Sequence, residues 1–151
     1  MKSHYGMLAL NLVASAIVMY VVMFTMIDGV DDFYNNINMA YMALAMVAPM
    51  AILMLATMGH MYPSRTLNIA LYLGFAGLFV VALLFTRAQM FVGDAQFLRS
   101  MIPHHSGAVL MCREAQIHDA EIAALCRRII QSQREEIDQM RRIRARLAQR
   151  T

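Results

Sequence analysis

Tryptophan is absent from this chain of 151 residues, and charge is scarce: 15% of its residues are Asp, Glu, Lys or Arg. A soluble domain carries about a quarter. With 60% hydrophobic residues and a mean hydropathy of +0.50, an ordinary soluble globular protein is excluded. Cysteine is limited to Cys112 and Cys126, and C-x-x-C does not occur, so a disulfide-rich scaffold is excluded too. Three alternatives stay open for these two residues: pairing with each other, binding metal, or standing as inert buried thiols. There is no phosphate-binding glycine loop and no nucleophile–base–orienter set. The Glu-x-x-His pairs of a di-iron bundle are also missing; the nearest spacing, Glu114 to His118, is one residue too long. A non-enzymatic protein is expected.

What the chain has instead is long apolar runs and sixteen methionines. Residues 7–27, 39–59 and 67–86 are each long enough to cross a bilayer, which needs about 20 residues. Pro49 interrupts the second span but is tolerable there with a kink, and Gly74 and Gly77 in the third could admit close helix contact. The first run lacks a small-residue cleavage site and further spans follow it, so it is expected to stay in the mature protein. Lys2 precedes span one, Asp28, Asp31 and Asp32 follow it, and Arg65 follows span two. The positive-inside rule then puts the N-terminus and the 60–66 loop in the cytoplasm and the tail outside. The reading divides the chain into a membrane domain, 1–86, and a soluble domain, 87–151.

The tail becomes amphipathic from Asp94. One helix is predicted to about Ile117, with Pro103 kinking it or sitting in its first turn. A tight connection at His118-Asp119-Ala120 follows, with Asp119 as N-cap. A second helix runs to about Leu147, with Ile122, Cys126, Ile129, Ile130, Gln133, Ile137 and Met140 as its apolar face. The tail's eleven arginines lack the interleaved aromatics of a nucleic-acid patch. Those of the second helix, Arg127, Arg128, Arg134, Arg141, Arg142 and Arg146, mostly point away from its apolar face and are expected to form a solvated face, with no nucleic-acid partner.

At about 100° per residue, Met101, His104, His105, Ala108, Met111 and Cys112 share one face of the first helix. Imidazoles, thioethers and a thiol favour Cu(I), Ag(I) or, less so, Zn(II) over hard cations. Counting outwards from the turn sets Cys112 opposite Cys126, His104 and His105 opposite Gln133, and Met101 near Glu136 and Ile137. The plain alternative is a buried histidine pair hydrogen-bonded to Gln133 and Glu136. Two helices this short bury little core alone, so a homodimer forming a four-helix bundle is expected. Within the membrane, Met39, Met42, Met46, Met50, Met54, Met58 and Met61 recur at helical spacing, as do Met19, Met23 and Met26. These are either ordinary apolar residues or a thioether ladder for a soft ion, with His60 at its cytoplasmic end.

The pattern Asp94-x-x-Phe97-x-x-x-Met101-Ile-Pro-His104-His105-x-x-Ala108-x-x-Met111, followed by Ile129-Ile130-x-x-Gln133-x-x-Glu136-Ile137-x-x-Met140, resembles the domain-of-unknown-function family 305. Met19-Tyr20 and Met61-Tyr62 lie in spans similar to those of its short membrane-anchored members, so the likeness covers nearly the whole chain. The resemblance implies a ferritin-like helical bundle and copper or silver binding through Met and His, in a setting of metal resistance. By position it implicates Met101, His104, His105, Met111 and Met140, with Gln133 and Glu136 as supporting partners. Soluble relatives often contain two helical pairs where this chain has one, and Cys112 and Cys126 are not part of the family pattern. The expectation is an all-α bacterial inner-membrane protein, three spans and a periplasmic hairpin. It would buffer, hand over or confer tolerance to Cu(I) or Ag(I), as a homodimer and with a metal-handling partner protein. The alternatives are a metal-free oligomerisation module and a Met-lined metal conduit.

Overall fold

Among the described residues the chain forms five α-helices and no strand. They are α1 (Lys2–Val22), α2 (Ile37–Thr57), α3 (Arg65–Ala88), α4 (Asp94–Glu114) and α5 (Ala120–Ala148). This computed structural model describes the backbone of residues 2–149 and the side chains of residues 4–149. Met1, Arg150, Thr151 and the Lys2 side chain, used in the orientation argument, lie outside the described residues. Three helical stretches are long and apolar enough to cross a membrane: His4–Met26, Ile37–Thr57 and Arg65–Ala88. They match the expected spans to within a few residues. α2 runs through Pro49 without a break.

The chain divides into two compact units. The first comprises Met1–Met23 and Asn38–Met90. Its core sets Leu8 and Leu12 of α1 against Val47, Ala51 and Leu55 of α2, with Tyr62 beneath. Polar clamps hold both ends. At one, the Tyr5 hydroxyl donates to Asn68 Oδ1 at 2.8 Å and the Asn68 amide donates to the Tyr62 carbonyl at 2.8 Å. At the other, Tyr41 donates to the Met90 carbonyl at 3.0 Å and Asn38 to Gln89 Oε1 at 3.0 Å. Such pairing suits the rims of a bilayer, where an aromatic body stays apolar and its tip finds a partner. Gly74 and Gly77 do not serve helix contact within the chain: a Cβ at either would meet nothing within 4 Å. The span-two methionines are divided between faces. Met50, Met54 and Met61 pack on the core, while Met42, Met46 and Met58 are exposed.

The second unit comprises Phe24–Ile37 and Phe91–Thr151, so the loop between the first two spans belongs with the tail. α4 ends at Glu114, three residues short of the expected Ile117, and contains Pro103 well past its first turn. Asp119 caps α5 as expected, accepting from the N–H groups of Glu121 and Ile122 at 2.9 Å each. α4 and α5 form an antiparallel hairpin closed by a core of Leu98, Ile102, Ile137 and Met140. Burying each such aliphatic side chain is worth about 1.5–3 kcal/mol.

Candidate functional site

α4 is covered on two sides, and what remains uncovered defines the candidate site. One side faces α5. Met101 packs against the hairpin core to which Met140 belongs, His105 Nδ1 lies 2.9 Å from Glu136 Oε2, and Cys112 is joined to Cys126 by a disulfide with Cα atoms 5.2 Å apart. Of the three alternatives open for the cysteines, the structure shows the bridge. Neither sulfur then offers a thiolate to a metal in this oxidised form.

The expected register holds at the cysteines and, through the hairpin core, near Met101 and Ile137. At the histidines, His105 meets Glu136, one of the two partners of the plain alternative. Helix side chains lean toward the N-terminus of their own helix, so the long Glu136 side chain reaches back about one turn. The His105–Glu136 contact is an ion pair when the ring is protonated, but it does not meet hydrogen-bond geometry.

The second covered side is occupied by the 24–37 loop, which sequence reasoning left out of the site. Ser106, fully buried, is its anchor. Its hydroxyl donates to Asp32 Oδ2 at 2.6 Å and accepts the Asp28 N–H at 2.7 Å. Asp32, 7% exposed, also accepts from Arg141 Nη2 at 2.7 Å. Arg113 forms an ion pair with Asp28, and Arg134 lies 3.9 Å from the same carboxylate. The hydrogen bond of Arg113 to Glu114, with the charges of Asp28 and Glu114, holds its guanidinium pKa above the ordinary value. Beside Ser106, a Cβ on Gly107 would come within 3.0 Å of the Met26 carbonyl oxygen; here the absent side chain lets backbone approach backbone. Arg134 and Arg141 of the solvated face, with Arg113 from α4, also hold the acidic loop. The available signal was opposite charge, three loop aspartates and an arginine-rich tail.

A third arc of α4 is left open. Phe97, His104 and Met111 are exposed along it, with Met101 and Ala108 partly buried between them. The spacings of 4, 3, 4 and 3 residues make a coiled-coil-like stripe. The expected ligand face is therefore split: His105 and Cys112 turn toward α5, while His104 and Met111 turn outward. The buried side of α4, centred on Leu98, Ile102 and Val109, lies roughly a quarter turn from the face chosen on chemistry. The two imidazoles are 6.0 Å apart between centroids. Among the described residues no group of three or more His, Cys, Asp or Glu side chains is placed to hold a metal ion. The open arc carries one imidazole, His104, and one exposed thioether, Met111, within reach of solvent.

Comparison with known proteins agrees with the sequence pattern. The family described as Domain of unknown function (DUF305) matches residues 85–144. An uncharacterized protein of Acanthamoeba polyphaga mimivirus is 31% identical over 142 residues, covering 91% of each chain. No solved structure matches.

Proposed function

The chain belongs to the DUF305 family, and from that premise we propose that it is a membrane-anchored binder of Cu(I) or Ag(I), serving metal buffering, handover or tolerance without turning over a substrate. The observation that carries this reading is the open arc of α4. It presents the His104 imidazole and the Met111 thioether, 55% exposed, on a helix otherwise covered by α5 and the loop. Soft donors of this kind select soft monovalent ions. One chain supplies too few of them to enclose an ion, and the heptad-like spacing suits a second copy. The homodimer, a four-helix and ferritin-like bundle, sets two His104–Met111 rows against each other, with Met101 at the edge. Met140, 8% exposed within the hairpin core, supports the arc by packing. Gln133 and Glu136 support it from α5, Glu136 through His105.

We assign the tail to the extracytoplasmic side, the periplasm of a bacterial inner membrane. The Cys112–Cys126 bridge supports this, because such bonds persist in oxidising compartments. The acidic loop joined to the tail and Arg65 on the other connection agree with the positive-inside rule. Handover would involve a metal-handling partner protein.

A metal-free oligomerisation module is the second reading, favoured by the His105–Glu136 contact and the buried Met140. The division of the span-two methionines between core and exposed faces gives the conduit less support. Cu(I) stoichiometry on detergent-purified protein, reduced only as far as keeps the disulfide intact, separates the readings. His104→Ala should lose binding with helicity and oligomeric state unchanged. Equal binding in His104→Ala and wild type would move the site to the membrane methionines, and no binding in either would leave the oligomerisation module.

A further inference from the structure

A hollow of about 700 Å³ in the second unit lies away from the histidine arc, between the end of the 24–37 loop, the start of α4 and the end of α5. Its lining includes Phe33, Tyr34, Arg99, Arg144 and Leu147, and carries no acidic residue. The Arg144 guanidinium lies over the Tyr34 ring, 4.1 Å from its centroid. A cation over a ring face is held by the ring's quadrupole and spends none of its five N–H donors on that contact. Among the described residues neither Arg99 nor Arg144 takes part in an ion pair. Arg113, Arg134 and Arg141 on the same hairpin all do. Two arginines beside one aromatic-lined hollow, both without a carboxylate, make a recognition site for a phosphate group.

Covalent reach sets the depth of this hollow. α2 has 21 residues, about 31 Å at 1.5 Å per residue, close to the hydrocarbon thickness of about 30 Å. Its first residue, Ile37, therefore falls at the hydrocarbon edge. Tyr34 is three residues earlier, at most about 11 Å away along the chain, in or just above a headgroup layer of roughly 5–8 Å per leaflet. Phe33, which lines the hollow and is 48% exposed, adds the apolar surface that interfacial segments carry.

We propose that this hollow binds the phosphate of an anionic phospholipid headgroup, with Arg99 and Arg144 as its donors and Tyr34 fixing the Arg144 plane. It is a lipid site separate from the metal arc, and it ties the hairpin to the bilayer surface at its open end.

The test is native mass spectrometry of the delipidated full chain, titrated with phosphatidylglycerol and phosphatidylcholine of matched acyl chains. The wild type should prefer phosphatidylglycerol at least fivefold. Arg99→Gln/Arg144→Gln should weaken phosphatidylglycerol binding by roughly 25-fold, about fivefold per arginine, and weaken less the binding of phosphatidylcholine, whose phosphate carries its own choline counter-charge. Arg127→Gln/Arg128→Gln, which removes the same charge from exposed positions of α5, should keep the preference. A wild type that treats the two lipids alike would overturn the proposal, whatever the variants do. So would equal losses in both double variants, which would mean diffuse charge attraction. Displacement of phosphatidylglycerol by millimolar inorganic phosphate would reassign the hollow to a free anion and overturn the lipid site.

Discussion

Ser106 donates a 2.6 Å hydrogen bond to Asp32 across 74 residues of chain, two membrane-length helices intervening between them. Two crossings return the chain to the side it left. The contact therefore requires the 24–37 loop and the α4–α5 hairpin to share one side of any membrane that α2 and α3 cross. It also requires them to fold as one unit.

Removing the Ser106 hydroxyl leaves an Asp32 oxygen and the Asp28 N–H without that partner at a fully buried point. Ser106→Ala should cost about 1–3 kcal/mol, the penalty of an unsatisfied buried polar group. Hydrogen exchange should rise in residues 24–37 while the spans keep their protection. Unchanged exchange in the loop would show that the serine does not anchor it.

Shared sidedness can be read chemically. Val30, 87% exposed, and the exposed Gln131, each replaced by cysteine, should react with an impermeant maleimide added to the same side of sealed vesicles. His60→Cys should react only from the other side. The native cysteines, being bridged, do not interfere. Labelling of Val30→Cys and Gln131→Cys from opposite sides would contradict the three-span topology.

The bridge closes a loop with a sequence separation of 14, for which chain entropy gives about 3 kcal/mol of stabilisation. Cys112→Ser/Cys126→Ser should lower the thermal midpoint of the hairpin, and reductant should lower the wild type by the same amount but leave the variant unmoved. A reductant-insensitive wild type would mean that the bridge contributes nothing to stability.

Gly107→Ala would ordinarily favour a helix by about 1 kcal/mol. Here its Cβ meets the Met26 carbonyl at 3.0 Å, so the substitution should instead destabilise by about 1–3 kcal/mol, the usual cost of overpacking. Gly74→Ala, with open space around its Cβ, should show no such loss in the same denaturation assay. A stabilised Gly107→Ala would mean that the loop yields without cost.

The site was only partly legible in advance. His105 against α5 and Cys112 opposite Cys126 follow from counting out of a turn whose cap, Asp119, is visible in sequence. Helical spacing and donor chemistry group His104 and Met111 with His105 and Cys112, and both stripes of α4 are apolar enough to pack. A period of 3.6 residues cannot rank two stripes a quarter turn apart when each carries Met, Ile or Leu. Ser106 and Gly107 stood inside the recognised pattern as unassigned positions, since their importance depends on a partner far away along the chain.

Sequence by itself determined the spans, the all-helical class and the hairpin with its cap, because those depend on hydropathy summed over about 20 residues and on hydrogen bonds between near neighbours. Tertiary structure alone decided which face of α4 is covered, that Cys112 and Cys126 pair, and that Asp28 and Asp32 belong to the tail's arginines and Ser106. Those are contacts between distant segments. Their free energy depends on what the intervening helices bring together, which no local pattern encodes.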